Sequence, residues 1–190
     1  RPMTAPAALR VLLGVTGSIA AYKSADLVRR LREQGAEVQV VMTEGARHFV
    51  GPATFQALSG RPVRTDLWDA AAEAAMGHIE LARWAERVMI APASADFLAR
   101  LAHGHADDLL TTLCLATDAP IMVAPAMNRL MWANAATQAN VATLRSRGVT
   151  ILGPAAGEQA CGETGTGRMV EPAEILAALK EKTRAGGGGD

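Results

Sequence analysis

Cysteine is nearly absent. Only Cys114 and Cys161 occur in 190 residues, far apart and without metal-ligand spacing. That excludes a disulfide-built scaffold and a thiolate metal cluster, and it suits a reducing compartment. Net charge is absent too: 19 Lys and Arg balance 19 Asp and Glu, with no long basic run to draw a nucleic acid or an anionic membrane as main partner. No apolar run approaches the roughly 18 residues of a membrane span. The start, Arg1-Pro2-Met3-Thr4, lacks an apolar signal region. The expected location is therefore the cytoplasm, with Met3 taken as the natural first residue. There is no internal repeat, no G-x-G-x-x-G and no P-loop lysine, which argues against a dinucleotide or nucleoside triphosphate site.

What is present is alternation. Residues 9–15 form an apolar run around Val11, Leu12 and Leu13, the mark of a buried strand. From Ser18, apolar residues Ile19, Tyr22, Ala25, Leu27, Val28 and Leu31 recur at helical spacing until Gly35 stops them. Residues 36–42 make a second strand, closed by Thr43. This β-loop-α-β unit predicts a parallel sheet. Helix is expected over 46–58 with a break at Gly51-Pro52, over 95–102, 108–116 and 131–147, and from Pro172 to 182; residues 81–86 read as a helix end. Strands are expected over 87–91, 120–124 and 149–152, with a short one within 61–66 and a turn at Pro92-Ala93-Ser94. Residues 153–167 hold five glycines and no periodicity, the pattern of a long loop. The fold class is α/β: a three-layer α/β/α sandwich, Rossmann-like or flavodoxin-like, on a mainly parallel sheet. One domain is expected over 1–183, with 184–190 a glycine-rich linker or tag remnant that would lead to a further domain.

In such sheets ligands gather at the carboxyl ends of the strands. That selects Thr16-Gly17-Ser18, Thr43, Pro92-Ala93-Ser94 and Ala126-Met127-Asn128. Gly17-Ser18-Ile19 opens a helix, so its backbone N–H groups and hydroxyl make either an anion seat or an ordinary βα turn. One phosphate, as in flavin mononucleotide (FMN), suits it better than a triphosphate. Asn128 stands where a helix cap belongs, amid a proline, two methionines and a tryptophan. His78 follows Gly77 at a break between loop and helix, as an exposed cap or a general base. His48 reads as a helical residue, and His103 and His105 as members of a surface turn around Gly104. Asp107 and Asp108 precede a helix and suit its positive end. Cys114 reads as a small core hydrophobe. Cys161 lies in a polar, glycine-rich segment, where its thiol is either incidental or available as an acid or nucleophile on a closing flap.

Three stretches together resemble one family. They are Gly14-Val15-Thr16-Gly17-Ser18-Ile19-Ala20-Ala21-Tyr22-Lys23, Pro125-Ala126-Met127-Asn128-Arg129-Leu130-Met131-Trp132, and Ala160-Cys161-Gly162-Glu163 through Gly167-Arg168-Met169. They are similar to the homo-oligomeric flavin-containing cysteine decarboxylases, in the branch acting on 4'-phospho-N-pantothenoylcysteine in coenzyme A biosynthesis. The resemblance implies FMN as cofactor, held by Gly17, Ser18, Ile19, Thr43, Ser94, Ala126 and Met127. It implies oxidation of the cysteinyl end to a thioaldehyde, loss of CO2 as an enethiolate, and reduction to 4'-phosphopantetheine. His78 would serve the oxidative decarboxylation, Asn128 would bind the substrate carboxylate, and Cys161 would protonate the enethiolate. Ala160, Arg168 and Met169 would line the substrate site. The family's asparagine after its Pro-Ala-(Ser/Thr)-Ala turn is Asp96 here. The resemblance also implies a trimer or a tetramer of trimers (a dodecamer), and a fused phosphopantothenate-cysteine ligase domain absent from this chain. The alternatives are a peptidyl-cysteine oxidative decarboxylase, which needs no reducing cysteine, and a non-catalytic FMN-binding regulatory subunit. No metal is expected.

Overall fold

The computed structural model describes residues 7–185. It opens with β1 (Arg10–Val15), α1 (Ala21–Glu33) and β2 (Glu37–Met42), then a 3-10 turn at Gly45–His48 and α2 (Pro52–Ser59). Next come α3 (Ala70–Ala75), α4 (His78–Trp84), β3 (Arg87–Ala93), α5 (Ala95–Ala102), α6 (Leu109–Ala116) and β4 (Ile121–Pro125). The chain continues through α7 (Arg129–Ala133), α8 (Ala135–Ser146), β5 (Thr150–Ile151), β6 (Ala155–Glu158), β7 (Thr164–Arg168) and α9 (Pro172–Ala185). β1 to β5 form one sheet in the order β2-β1-β3-β4-β5, and every pairing is parallel.

The side-chain period of the strands divides the core in two. Val11, Leu13 and Val15 of β1 pack towards α1, α2 and α9, with Leu27, Phe55, Ile175 and Leu179. Leu12 of the same strand joins Ile90, Phe97, Leu98, Leu110 and Val141 on the opposite face. Both faces of β1 are buried, which is why its sequence is continuously apolar rather than alternating. Gly14 is small for packing: a Cβ there would stand 2.7 Å from Ile90 Cδ1 and 2.7 Å from Leu110 Cδ1. This is the expected flavodoxin-like three-layer sandwich.

Several local expectations change. The helix over 131–147 is two helices, because Asn134 ends α7 and its side chain accepts from Ala136 N at 2.9 Å to cap α8. Pro92-Ala93 is not a turn: β3 runs through Ala93, with a register shift against β4 between Ile90 and Ala93. The 61–66 strand shrinks to a single bridge, Val41 to Arg64. The helix ending near Trp84 begins at His78, and Asp69 caps a separate short helix through Ala72 N. The 153–167 loop is an antiparallel hairpin, β6 with β7, preceded by Gly153-Pro154 and closed by residues 159–163. α9 reaches Ala185, so helix takes the first two residues of the expected tail; residues 186–190, and Met3 at the other end, lie outside the described residues. Among the described residues no helix is long and apolar enough to cross a membrane.

Candidate active site

The strand order reverses between β1 and β3, since their outer connections run to opposite sides of the sheet. A ligand crevice belongs at the carboxyl ends of those two strands. There Thr16, buried, donates its hydroxyl to Pro92 O at 2.6 Å and accepts Ser94 N at 2.9 Å, locking the two strand ends together. Two cavities open at this edge, of about 820 and 650 Å³. They share Gly17, Ser94, Ala95 and Met131 and so form one crevice.

The larger cavity is lined by most of the residues singled out from the sequence: Gly17, Ser18, Ile19, Ser94, Ala126, Met127 and Asn128 on the sheet side, Ala160, Cys161, Arg168 and Met169 on the hairpin side. Thr43 lines the smaller one. The front end suits a phosphate. α1 carries no acidic residue in its first turn, and its N-terminal dipole favours an anion. The Ser18 hydroxyl accepts Ala20 N at 3.1 Å. The backbones of Gly17 and Gly45 approach so closely that a Cβ on Gly17 would sit 3.1 Å from Gly45 C. Asp96 lines the smaller cavity, with its carboxylate paired to Arg100 at 3.0 Å. Arg100 also holds Asp107 at 2.9 Å, keeping that carboxyl below its ordinary range.

Asn128 is a cap through its side chain: Oδ1 accepts Leu130 N at 2.8 Å. The cap fixes which way the amide faces. Nδ2 is thereby turned to a carboxylate, that of Glu163, at 3.4 Å. A primary amide offering only N–H on that side is a carboxylate receptor. Cys161 lies in the hairpin turn, exposed. Its turn closes through Gly162 N to Gln159 O at 2.9 Å, with Gly162 at φ +82°, a left-handed conformation that glycine adopts without strain. Cys114 is the opposite kind of thiol: full burial pushes it up to about 12, so it stays protonated and inert.

His78 lines neither cavity. It is the first residue of α4; its backbone N–H and ring Nδ1 both face Glu73, the ring at 2.7 Å. Burial opposes charge on Glu73, but hydrogen bonds from His78 and the charge of Arg64 outweigh it and draw its carboxyl below the usual range. A carboxylate accepting Nδ1–H orients the ring and directs Nε2 away from Glu73. His103 and His105 form no metal cluster; none exists among the described residues.

Two contributors escape sequence reasoning. Lys23 is buried in α1; its Nζ donates to Met169 O at 3.4 Å and pairs with Glu171 at 3.0 Å, pinning the chain where it leaves β7. Gln159 brackets Asn128: its Nε2 donates to Met127 O at 3.1 Å, and its Oε1 accepts Arg129 N at 3.2 Å. Met127 N also donates to Gly167 O at 2.9 Å.

Sheet order and crevice define a flavodoxin-like α/β protein with a crevice at the carboxyl edge of the sheet. Residues 3–184 match the family model Flavoprotein, and the chain belongs to that family. It is 62% identical over 172 residues to the coenzyme A biosynthesis bifunctional protein CoaBC of Vibrio vulnificus (strain YJ016), covering 90% of this chain and 43% of that protein. To CoaBC of Escherichia coli (strain K12) it is 57% identical over 167 residues, covering 88% of this chain and 41% of the other. The chain thus spans less than half the length of these curated relatives. Among solved structures it is similar to a PPC decarboxylase mutant complexed with pantothenoylaminoethenethiol (34% identity, TM-score 0.81, 94% of this chain and 100% of that one). It is also similar to the FMN binding protein AtHal3 (36% identity, TM-score 0.80, 93% and 97%).

Proposed function

We propose that this chain is an FMN-dependent decarboxylase that converts 4'-phospho-N-pantothenoylcysteine into 4'-phosphopantetheine in the cytoplasm. The observation that carries it is Asn128: its amide orientation is fixed by the α7 cap, and Nδ2 meets a carboxylate at the edge of a cavity that Cys161 also lines. The complexed PPC decarboxylase and the CoaBC relatives supply the substrate class.

Gly17, Ser18 and Thr43, at the acid-free start of α1, would hold the FMN phosphate, and Ile19, Ser94, Ala126 and Met127 would hold the rest of the cofactor. Bound there, it would supply reversible two-electron redox chemistry for the cysteinyl end of the substrate. The protein supplies position and protons. Asn128 Nδ2 holds the substrate carboxylate until it leaves as CO2. His78, oriented by Glu73, takes a proton during the oxidative half. Cys161 gives its proton to the enethiolate, and Ala160, Arg168 and Met169 shape the wall beside it. Because His78 lies away from both cavities of its own chain, its role requires a second copy that brings it to the site. That supports a homo-oligomer, and we propose a trimer, or four such trimers. The remainder of the CoaBC-like polypeptide would hold the ligase that makes the substrate from phosphopantothenate and cysteine.

The test is Cys161→Ser in the FMN-loaded chain. It should still release CO2 but accumulate the unsaturated enethiol. Normal phosphopantetheine yield from this variant would overturn the assignment.

A further inference from the structure

The hairpin turn carries two functional groups two residues apart, Cys161 and Glu163. Glu163 Oε2 accepts from Asn128 Nδ2 at 3.4 Å and pairs with Arg129 Nε at 3.2 Å. With Oδ1 of Asn128 committed to the cap, Nδ2 is what that side chain can offer a carboxylate. If Asn128 binds the substrate carboxylate, as proposed above, that carboxylate and Glu163 compete for one donor, and their like charges forbid sharing it. The root of the hairpin has no such conflict. Gln159 and Gly167 hold it to Met127 and Arg129, and the stem of Arg129 packs beneath Gly165, where a Cβ would be 2.7 Å from Arg129 Cδ. The exchange is therefore confined to the turn.

We infer that Glu163 is a positioning residue for Cys161: it occupies the carboxylate seat on Asn128 in the empty site, yields it to the substrate, and reclaims it when CO2 departs. CO2 is neutral and holds no claim on Nδ2 or Arg129, so the vacated seat draws Glu163 back. The return carries the Cys161 thiol over the enethiolate at the moment its proton is needed. Decarboxylation thereby sets the timing of the proton transfer.

The experiment uses the FMN-loaded chain and its Glu163→Ala, Glu163→Asp and Asn128→Ala variants. Glu163 is exposed, so its two substitutions leave the core intact, and Asn128→Ala removes only the cap of the short helix α7. Calorimetry compares two unreactive ligands, a phosphopantothenoylserine that keeps the carboxylate and a phosphopantothenoyl-ethanolamine that lacks it. Glu163→Ala should bind the acid roughly three- to tenfold tighter, the cost of displacing about one hydrogen bond, and the ethanolamine unchanged. With substrate, Glu163→Ala should release CO2 in excess of saturated product, and Glu163→Asp should restore much of the one-to-one ratio. Equal shifts for both ligands, no shift, or a one-to-one ratio in Glu163→Ala would overturn the inference while leaving the proposed function standing. Asn128→Ala that still prefers the acid as the parent does would remove the carboxylate seat itself, and the inference with it.

Discussion

Gly167→Ala probes how the hairpin is held over the site. Gly167 is not in a left-handed conformation, so the effect is purely steric. An added Cβ would fall well inside contact distance of Met127 O and Gln159 Nε2, and 3.3 Å from Arg129 N. The Gln159 amide can swing aside. The Met127 carbonyl lies two residues past the end of β4 and cannot move as cheaply, so the hairpin has to lift. Three hydrogen bonds go with it: Met127 N to Gly167 O, Gln159 Nε2 to Met127 O, and Arg129 N to Gln159 Oε1. At about 1 ± 0.5 kcal/mol each, the docked hairpin loses about 1.5–4.5 kcal/mol, and its open population rises roughly 10- to 2,000-fold. The five-stranded core is untouched, so the opening is local rather than global. Hydrogen exchange reads it directly: amides of 155–168 should exchange faster by that factor, while those of β4 stay protected. Gly51→Ala, where a Cβ meets nothing within 4 Å, is the control. Unchanged hairpin protection in Gly167→Ala would refute the docking described here.

Two further outcomes are expected. Asn128→Asp keeps an effective cap, since aspartate caps as well as asparagine, but it sets a carboxylate against Glu163 and against the substrate; melting should be nearly unchanged while KM rises more than tenfold, and a parent-like KM would remove Asn128 from substrate binding. The hydrogen bond from Lys23, helped by its charge and by Arg168, lowers the Glu171 carboxyl below its ordinary value of 4.5 despite opposing burial. A depressed carboxylate stabilises fully above its unfolded value and loses that contribution as pH falls through the folded one. The denaturant midpoint of the parent should therefore exceed that of Lys23→Met by a constant amount above about pH 5, with the gap shrinking below pH 4.5; a gap that does not change with pH would contradict the pairing.

The front of the chain was legible because its physics is periodic. Val11, Leu12 and Leu13 had to be a strand buried on both faces, and the spacing from Ile19 to Leu31 had to be a helix. Asn128 was legible as a cap, although only the geometry divides its side chain into a capping oxygen and an outward amide. The hairpin was not legible. Its second strand holds glycine where other strands hold apolar side chains, because Gly167 lies against the backbone of Met127 and Gly165 against the side chain of Arg129, leaving no room for a Cβ at either. Proline marked Pro92 as a turn, whereas the strand continues past it with a shifted register. Glu73 could not be linked to His78 from sequence, since the pair forms across a helix break. Nothing in the sequence pairs Lys23 with Glu171, because their contact forms only where the chain passes from β7 to α9.

The most direct test gives the FMN-loaded chain 4'-phospho-N-pantothenoylcysteine and measures CO2 and 4'-phosphopantetheine together. The account predicts one molecule of each per turnover, with no external reductant, because the electrons taken in the first half are returned in the second. Retained yellow flavin with neither CO2 nor phosphopantetheine formed would contradict it, leaving a flavin-binding protein without this activity.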